Sequence, residues 1–99
     1  MFINTIEFPA IKAGKDSEFI EWFQWSNNVY KKSDGFISRR LLISAKGDKK
    51  YVSLVEHVSE KTFMAMHTSK ERAEAFAKLK PLLEGSLSAK FFNVLIDKE

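Results

Sequence analysis

The chain has 99 residues, of which 44% are hydrophobic, 29% are charged and none is cysteine; 16 Lys and Arg against 13 Asp and Glu leave a net charge of +3. These proportions predict a single domain over residues 1–99 in a reducing, cytoplasmic setting. They exclude a disulfide framework, thiolate metal sites and a disordered chain, and no apolar run reaches the roughly 18 residues of a membrane span.

The first residues, Met1 to Glu7, carry no basic stretch followed by an apolar run, so no secretory signal is expected. Residues 2–8 alternate Phe2, Asn4, Ile6 and Phe8 against Ile3, Thr5 and Glu7, a strand by period two. Pro9 ends it, because proline cannot donate to a ladder. Residues 16–33 read as a long helix with Asp16 or Ser17 as N-cap. Its large apolar residues, Phe19, Ile20, Trp22, Phe23, Trp25, Val29 and Tyr30, cover more than half the circumference, wider than an ordinary surface helix shows. Ser26 falls near the middle of that arc and Asn27 toward one edge. Buried polar groups need partners, so this pair suggests a cavity beside the helix. Ser33-Asp34-Gly35 stops the helix.

Residues 36–45 form the second strand, Lys46 to Lys49 a hairpin turn, and residues 51–58 the third strand, paired with the second. Ser59 caps a short helix through Met66. Thr68-Ser-Lys-Glu71 has the capping-box pattern and starts a further helix to about Lys80, where Pro81 breaks it. After the turn at Glu84-Gly85-Ser86, residues 88–96 form the last strand.

The order β-α-β-β-α-β is the α+β, ferredoxin-like pattern: a four-stranded antiparallel sheet with its helices on one face. The strands are apolar on both sides. The last has Phe91 and Leu95 against Phe92, Val94 and Ile96; the second has Phe36 and Leu42 against Ile37, Leu41 and Ile43. A chain this short buries only about 60–65% of its unfolded surface. Nine Phe, two Trp and two Tyr therefore need further cover. A homodimer through the bare sheet face and a ligand pocket both supply it.

This element order, the aromatic first helix and the stretch Val55-Glu-His-Val-Ser-Glu-Lys-Thr-Phe-Met-Ala-Met-His67 resemble the antibiotic biosynthesis monooxygenase domain family over nearly the whole chain. The resemblance implies a dimeric α/β barrel, in which two sheets face each other. It implies oxidation of aromatic polyketides or quinols by molecular oxygen without metal or flavin, or haem-ring cleavage, or no known activity. Haem-cleaving members use a first-strand Asn, a Trp ending the third strand, and an iron-ligating His on the second main helix. Those positions fall here on Asn4 (or, without a gap, Glu7), on His57 and at or near Phe76. Two of the three residues are absent, so no cofactor is expected. Haem remains only as a group ligated by His67 or His57 from another direction.

A cofactor-free oxygenase must deprotonate a phenol or quinol and stabilise the resulting anion. His57 and His67 are the only histidines, with His57 as the natural base, and Asn4 is a donor. By period two, Tyr51, Ser53, Val55 and His57 share one strand face. If that face and that of Asn4 look toward the first helix, they meet walls of Phe19, Trp22, Phe23 and Tyr30, with Ser26 among them. Arg39 or Arg40 could stabilise the anion; they point to opposite sides, the sequence does not decide which faces the pocket, and Arg40 is named as the substrate-binding candidate. No metal-ligand set, catalytic triad or phosphate loop is present. The basic residues are scattered without an RNA-binding motif, so neither nucleic acid nor membrane is an expected partner. The expectation is a homodimeric, cofactor-independent monooxygenase acting on a small aromatic or quinone-like molecule. The alternatives are a dimeric binding module for a hydrophobic ligand or haem, and a structural dimer with a solid core.

Overall fold

Alternating apolar strands and an aromatic helix stripe combine into one layered sheet with helices on one side. In the computed structural model, which describes residues 1–98, the elements are β1 (Phe2–Glu7), α1 (Asp16–Tyr30), β2 (Phe36–Ile43), β3 (Tyr51–His57), α2 (Glu60–His67), α3 (Lys70–Leu79) and β4 (Ser88–Asn93). A single 3₁₀ turn, Lys80–Leu82, follows α3 at Pro81. The strand order is β2-β3-β1-β4, antiparallel throughout, which is the expected ferredoxin-like arrangement. The sheet is open, with β2 and β4 as edges. Among the described residues, no helix is long and apolar enough to cross a membrane.

One sheet face meets the helices. Phe2 and Asn4 on β1, and Tyr51, Ser53, Val55 and His57 on β3, are all buried there. Phe19, fully buried on α1, packs edge-on against Phe8 at 4.9 Å and against Tyr51 at 5.0 Å. The wide apolar arc expected of α1 is only partly used: Phe19, Trp22, Phe23, Ser26 and Tyr30 are buried, whereas Ile20 and Trp25 remain exposed.

Several element ends differ from expectation, each because a side chain has a better partner. Asp16 does not cap α1; its carboxylate accepts from Tyr51 Oη at 2.7 Å, and Lys15 occupies the cap position without a side-chain bond. The helix closes at Tyr30 instead of Ser33, where the Ser33 hydroxyl donates to the Tyr30 carbonyl. Thr68 Oγ1 turns back to the Met64 carbonyl, so Ser69 takes over as the cap of α3, accepting from Arg72 N at 3.1 Å. β4 ends at Asn93, opposite Phe2, because β1 has run out of strand to pair with. Leu95 and Ile96, expected as strand residues, are therefore 92% and 86% exposed.

β2 carries a bulge between Phe36 and Ser38. One extra residue, Ile37, shifts the alternation, so Phe36 and Arg39 both face the helices, opposite His57 and Val55. On the outer face, Ile3, Thr5, Val52 and Leu54 form a central half-buried strip. Leu42 and Phe92 flank it at 44% and 49% exposure. Charged pairs lie beside this strip: Arg40 with Glu56 at 3.4 Å, and Glu7 with Lys50 and Lys90 at 3.9 Å each.

Candidate functional site

A cavity of about 50 Å³ lies between the sheet and the three helices. Its polar groups come from Asn4 on β1, Arg39 on β2, Trp22 and Tyr30 on α1, His67 on α2 and Arg72 on α3. Ile6, Phe8, Val55, Phe63, Met66, Phe76, Leu79 and Leu87 complete the walls. Among the described residues, no aspartate or glutamate lines it.

Each polar group is held differently. Asn4 sits between Val55 and Phe91 in the sheet, and its Nδ2 donates to the Lys90 carbonyl at 3.0 Å. That bond fixes the amide orientation and leaves Oδ1 free of protein donors, so Asn4 is an acceptor toward the cavity. The expectation of a donor is corrected. Glu7, the alternative position, lies on the opposite sheet face with Lys50 and Lys90. Trp22 Nε1 is spent on the Ala75 carbonyl at 2.9 Å, which ties α1 to α3.

The cavity arginine is Arg39. Arg40, expected in that role, projects from the other face toward Glu56, because the bulge at Ile37 reverses which arginine points inward. Arg39 Nη1 donates to Ser26 Oγ at 2.7 Å and Asn27 Oδ1 at 2.8 Å, with a longer contact to the Phe23 carbonyl at 3.4 Å. The guanidinium lies 3.9 Å above the Phe23 ring and 4.7 Å from that of Tyr30, within reach of cation–π attraction. Burial lowers its pKa to about 10, which still leaves it charged at neutral pH. Ser26 and Asn27 are thus explained: they are the seat of Arg39. Ser26 is fully buried, donates to the Phe23 carbonyl, and does not line the cavity. Phe19 and Phe23 also stand behind the wall instead of in it.

Of the two candidate histidines, one lines the cavity and the other does not. His67 is in the wall, its ring stacked 5.4 Å from Phe63. Burial, reinforced by Arg72, lowers its pKa, so it is a neutral proton acceptor at pH 7. His57, expected as the base, is fully buried outside the cavity wall. Its Nδ1 lies 3.0 Å from Thr62 Oγ1. That hydroxyl donates to the Ser59 carbonyl, so His57 Nδ1 carries the proton and donates to it. Nε2 has no partner and sits among aromatic edges from Phe36 and Phe63. Burial pushes the His57 pKa down as well.

Burial raises the Tyr30 pKa, against the opposing pull of Arg39 and Arg72, so its phenol stays protonated. Tyr30 and Met66 also line a second, open groove of about 910 Å³ between the end of α1 and helices α2 and α3. These two side chains therefore stand between groove and cavity. Arg72 and Met66 are wall residues that the sequence reading missed; only the packing of α2 and α3 brings them in. No three metal-ligating side chains come together among the described residues. Phe76, at or near the position expected for an iron ligand, gives the wall a benzyl group.

Known structures share this fold. SnoaB, a cofactor-independent oxygenase from Streptomyces nogalater, matches with a TM-score of 0.80 at 14% identity, covering 97% of this chain and 95% of its own. Rv0793 from Mycobacterium tuberculosis matches with a TM-score of 0.82 at 16% identity over 100% of both chains. An antibiotic biosynthesis monooxygenase matches with a TM-score of 0.81 at 7% identity over 97% of this chain and 100% of its own. No family model matches the sequence, and no curated protein matches it. At these identities the likeness is one of fold.

Proposed function

We propose that this chain is a cofactor-independent monooxygenase of the antibiotic biosynthesis monooxygenase type, acting on a small phenol or quinol as a homodimer. The observation that carries the reading is the aromatic-walled cavity, lined by no acid among the described residues, whose wall holds neutral His67, the acceptor Oδ1 of Asn4 and the buried cation of Arg39. The fold shared with SnoaB, itself a cofactor-independent oxygenase, supports it.

In this reading, Asn4 Oδ1 orients the substrate hydroxyl and His67 takes its proton. The positive charge of Arg39 favours the phenolate over the phenol. The electron-rich ring then reacts with oxygen at an unsubstituted ortho or para carbon. The ring hydroperoxide that forms loses water and leaves a carbonyl. Phenol and oxygen thus give quinone and water, with the substrate supplying every electron. The chemistry asks no metal or flavin of the protein. Haem fits these walls poorly, because Phe76 cannot ligate iron.

A void of about 150 Å³ holds one benzene ring. The cavity, at about 50 Å³, is smaller than that, and in this reading Tyr30 and Met66, which line both spaces, make room for the ring toward the groove. Two sheets packed outer face to outer face would close the barrel and cover Leu54, Leu42 and Phe92. The deciding assay is oxygen consumption with a panel of phenols and hydroquinones, corrected for spontaneous oxidation. Turnover that falls about 10²–10⁴-fold in His67→Gln is expected. No turnover in the unmodified protein ends the oxygenase reading.

A further inference from the structure

The geometry points to a carboxylate subsite in this cavity: Arg39 uses its free Nε and Nη2 donors to grip the carboxylate of an aromatic acid, whose ring lies toward Tyr30 and Met66. This names the substrate class of the same cavity, and it rests on the reading of that cavity as a ligand site.

Three observations carry it. First, all hydrogen bonds of Arg39 leave from Nη1, to Ser26, Asn27 and the Phe23 carbonyl. Those bonds and the rings of Phe23 and Tyr30 hold the guanidinium plane. The Nε and Nη2 donors find no protein partner, yet they are not sealed off. Among the described residues the only buried partnerless side-chain atoms are Ser53 Oγ and His57 Nε2. Side by side, Nε and Nη2 form the fork that matches the two oxygens of a carboxylate.

Second, Arg39 is a largely buried cation without a counter-ion. The ion pairs of the described residues join Lys15 to Glu18, Arg40 to Glu56, and Lys50 and Lys90 to Glu7; none includes Arg39. A desolvated charge lacking an opposite partner is costly, and a bound anion removes that cost. The same burial lowers its pKa to about 10. Third, among the described residues the wall supplies positive charge and no negative charge, since Arg72 joins Arg39 there and no aspartate or glutamate does. The planar Nε/Nη2 fork suits a planar monoanion better than a tetrahedral dianion. The cavity of about 50 Å³ admits a carboxyl group, and the residues bordering the groove offer the ring an aromatic and a thioether surface.

The test is calorimetric titration of the full chain with benzoate, benzamide and acetate. Benzoate should bind at least about tenfold more tightly than its neutral isostere benzamide, as expected for a charge-assisted pair. It should also exceed acetate, which lacks the ring, and lose this advantage in Arg39→Met. Equal affinity for benzoate and benzamide overturns the subsite, as does undiminished benzoate binding in Arg39→Met or no benzoate binding at all. Acetate binding as tightly as benzoate overturns the aromatic class. If Arg39→Met does not fold, as circular dichroism would reveal, the benzoate-to-benzamide ratio in the unmodified chain decides alone. Oxygen uptake with hydroxybenzoates and neutral phenols separates the two readings. Arg39-dependent benzoate binding without any uptake leaves the subsite standing and ends the oxygenase reading. Uptake with neutral phenols, without preferential benzoate binding, does the reverse.

Discussion

Replacing Gly35 with alanine tests how the start of β2 is held against α2. Gly35 has φ +80°, and an added Cβ would lie 2.5 Å from Thr62 Cβ and closer still to Thr62 Oγ1. Rotating the Thr62 side chain cannot relieve this, because Cβ does not move with χ1. The backbone must separate instead. Thr62 is the N3 residue of the α2 capping box and accepts the proton of His57 Nδ1. A left-handed conformation costs a residue with a Cβ about 1–2 kcal/mol. Loss of the cap adds about 1 kcal/mol, and loss of the histidine hydrogen bond about as much again. Together these give about 3–4 kcal/mol, a Tm fall of more than about 12 °C in a domain of this size. Gly47→Ala is the control: its φ is +77°, but nothing lies within 4 Å of an added Cβ. It should cost only the conformational part. Thermal denaturation of both variants by circular dichroism measures the difference. Equal Tm values for the two would refute the close approach of Gly35 to α2.

Acid should destabilise the fold through both histidines. Burial lowers their folded pKa values below the unfolded value of about 6.5. The unfolded chain therefore binds more protons in the window beneath it, and stability declines as pH falls through about 6.5. Urea midpoints between pH 7.5 and 5 should shift less in His67→Gln than in the unmodified protein; parallel profiles would contradict this assignment. Trp22→Phe removes the indole donor to the Ala75 carbonyl, an oxygen that also belongs to the α3 helix ladder. A loss of about 1 kcal/mol by urea denaturation is expected, and an unchanged midpoint would show that the bond does not couple α1 to α3. Sedimentation should give twice the mass of one chain, falling to a single chain in Leu54→Glu, which places a charge in the middle of the outer sheet strip. A single-chain mass for the unmodified protein would remove the dimer.

Much of this architecture is legible in the sequence because strand and helix periods are local properties. Alternation in residues 2–8 and 51–58 put Asn4 and His57 on one side of their strands, and both side chains do face the helices. Ser26 and Asn27, polar residues in an aromatic arc, suggested a cavity beside α1, but neither lines the one found there. Their partner proved to be Arg39, reached across the gap between α1 and β2. What the sequence left undecided depends on contacts between distant segments. The one-residue bulge at Ile37 exchanged Arg40 for Arg39, and no local propensity marks it. His57 was shut out of the cavity by the capping box of α2, while His67 was brought in as that helix settled against the sheet. Arg72 and Met66 entered the wall in the same way. Periodicity fixes the side of an element from which a group leaves, but only the packing of one element on another fixes what that group meets.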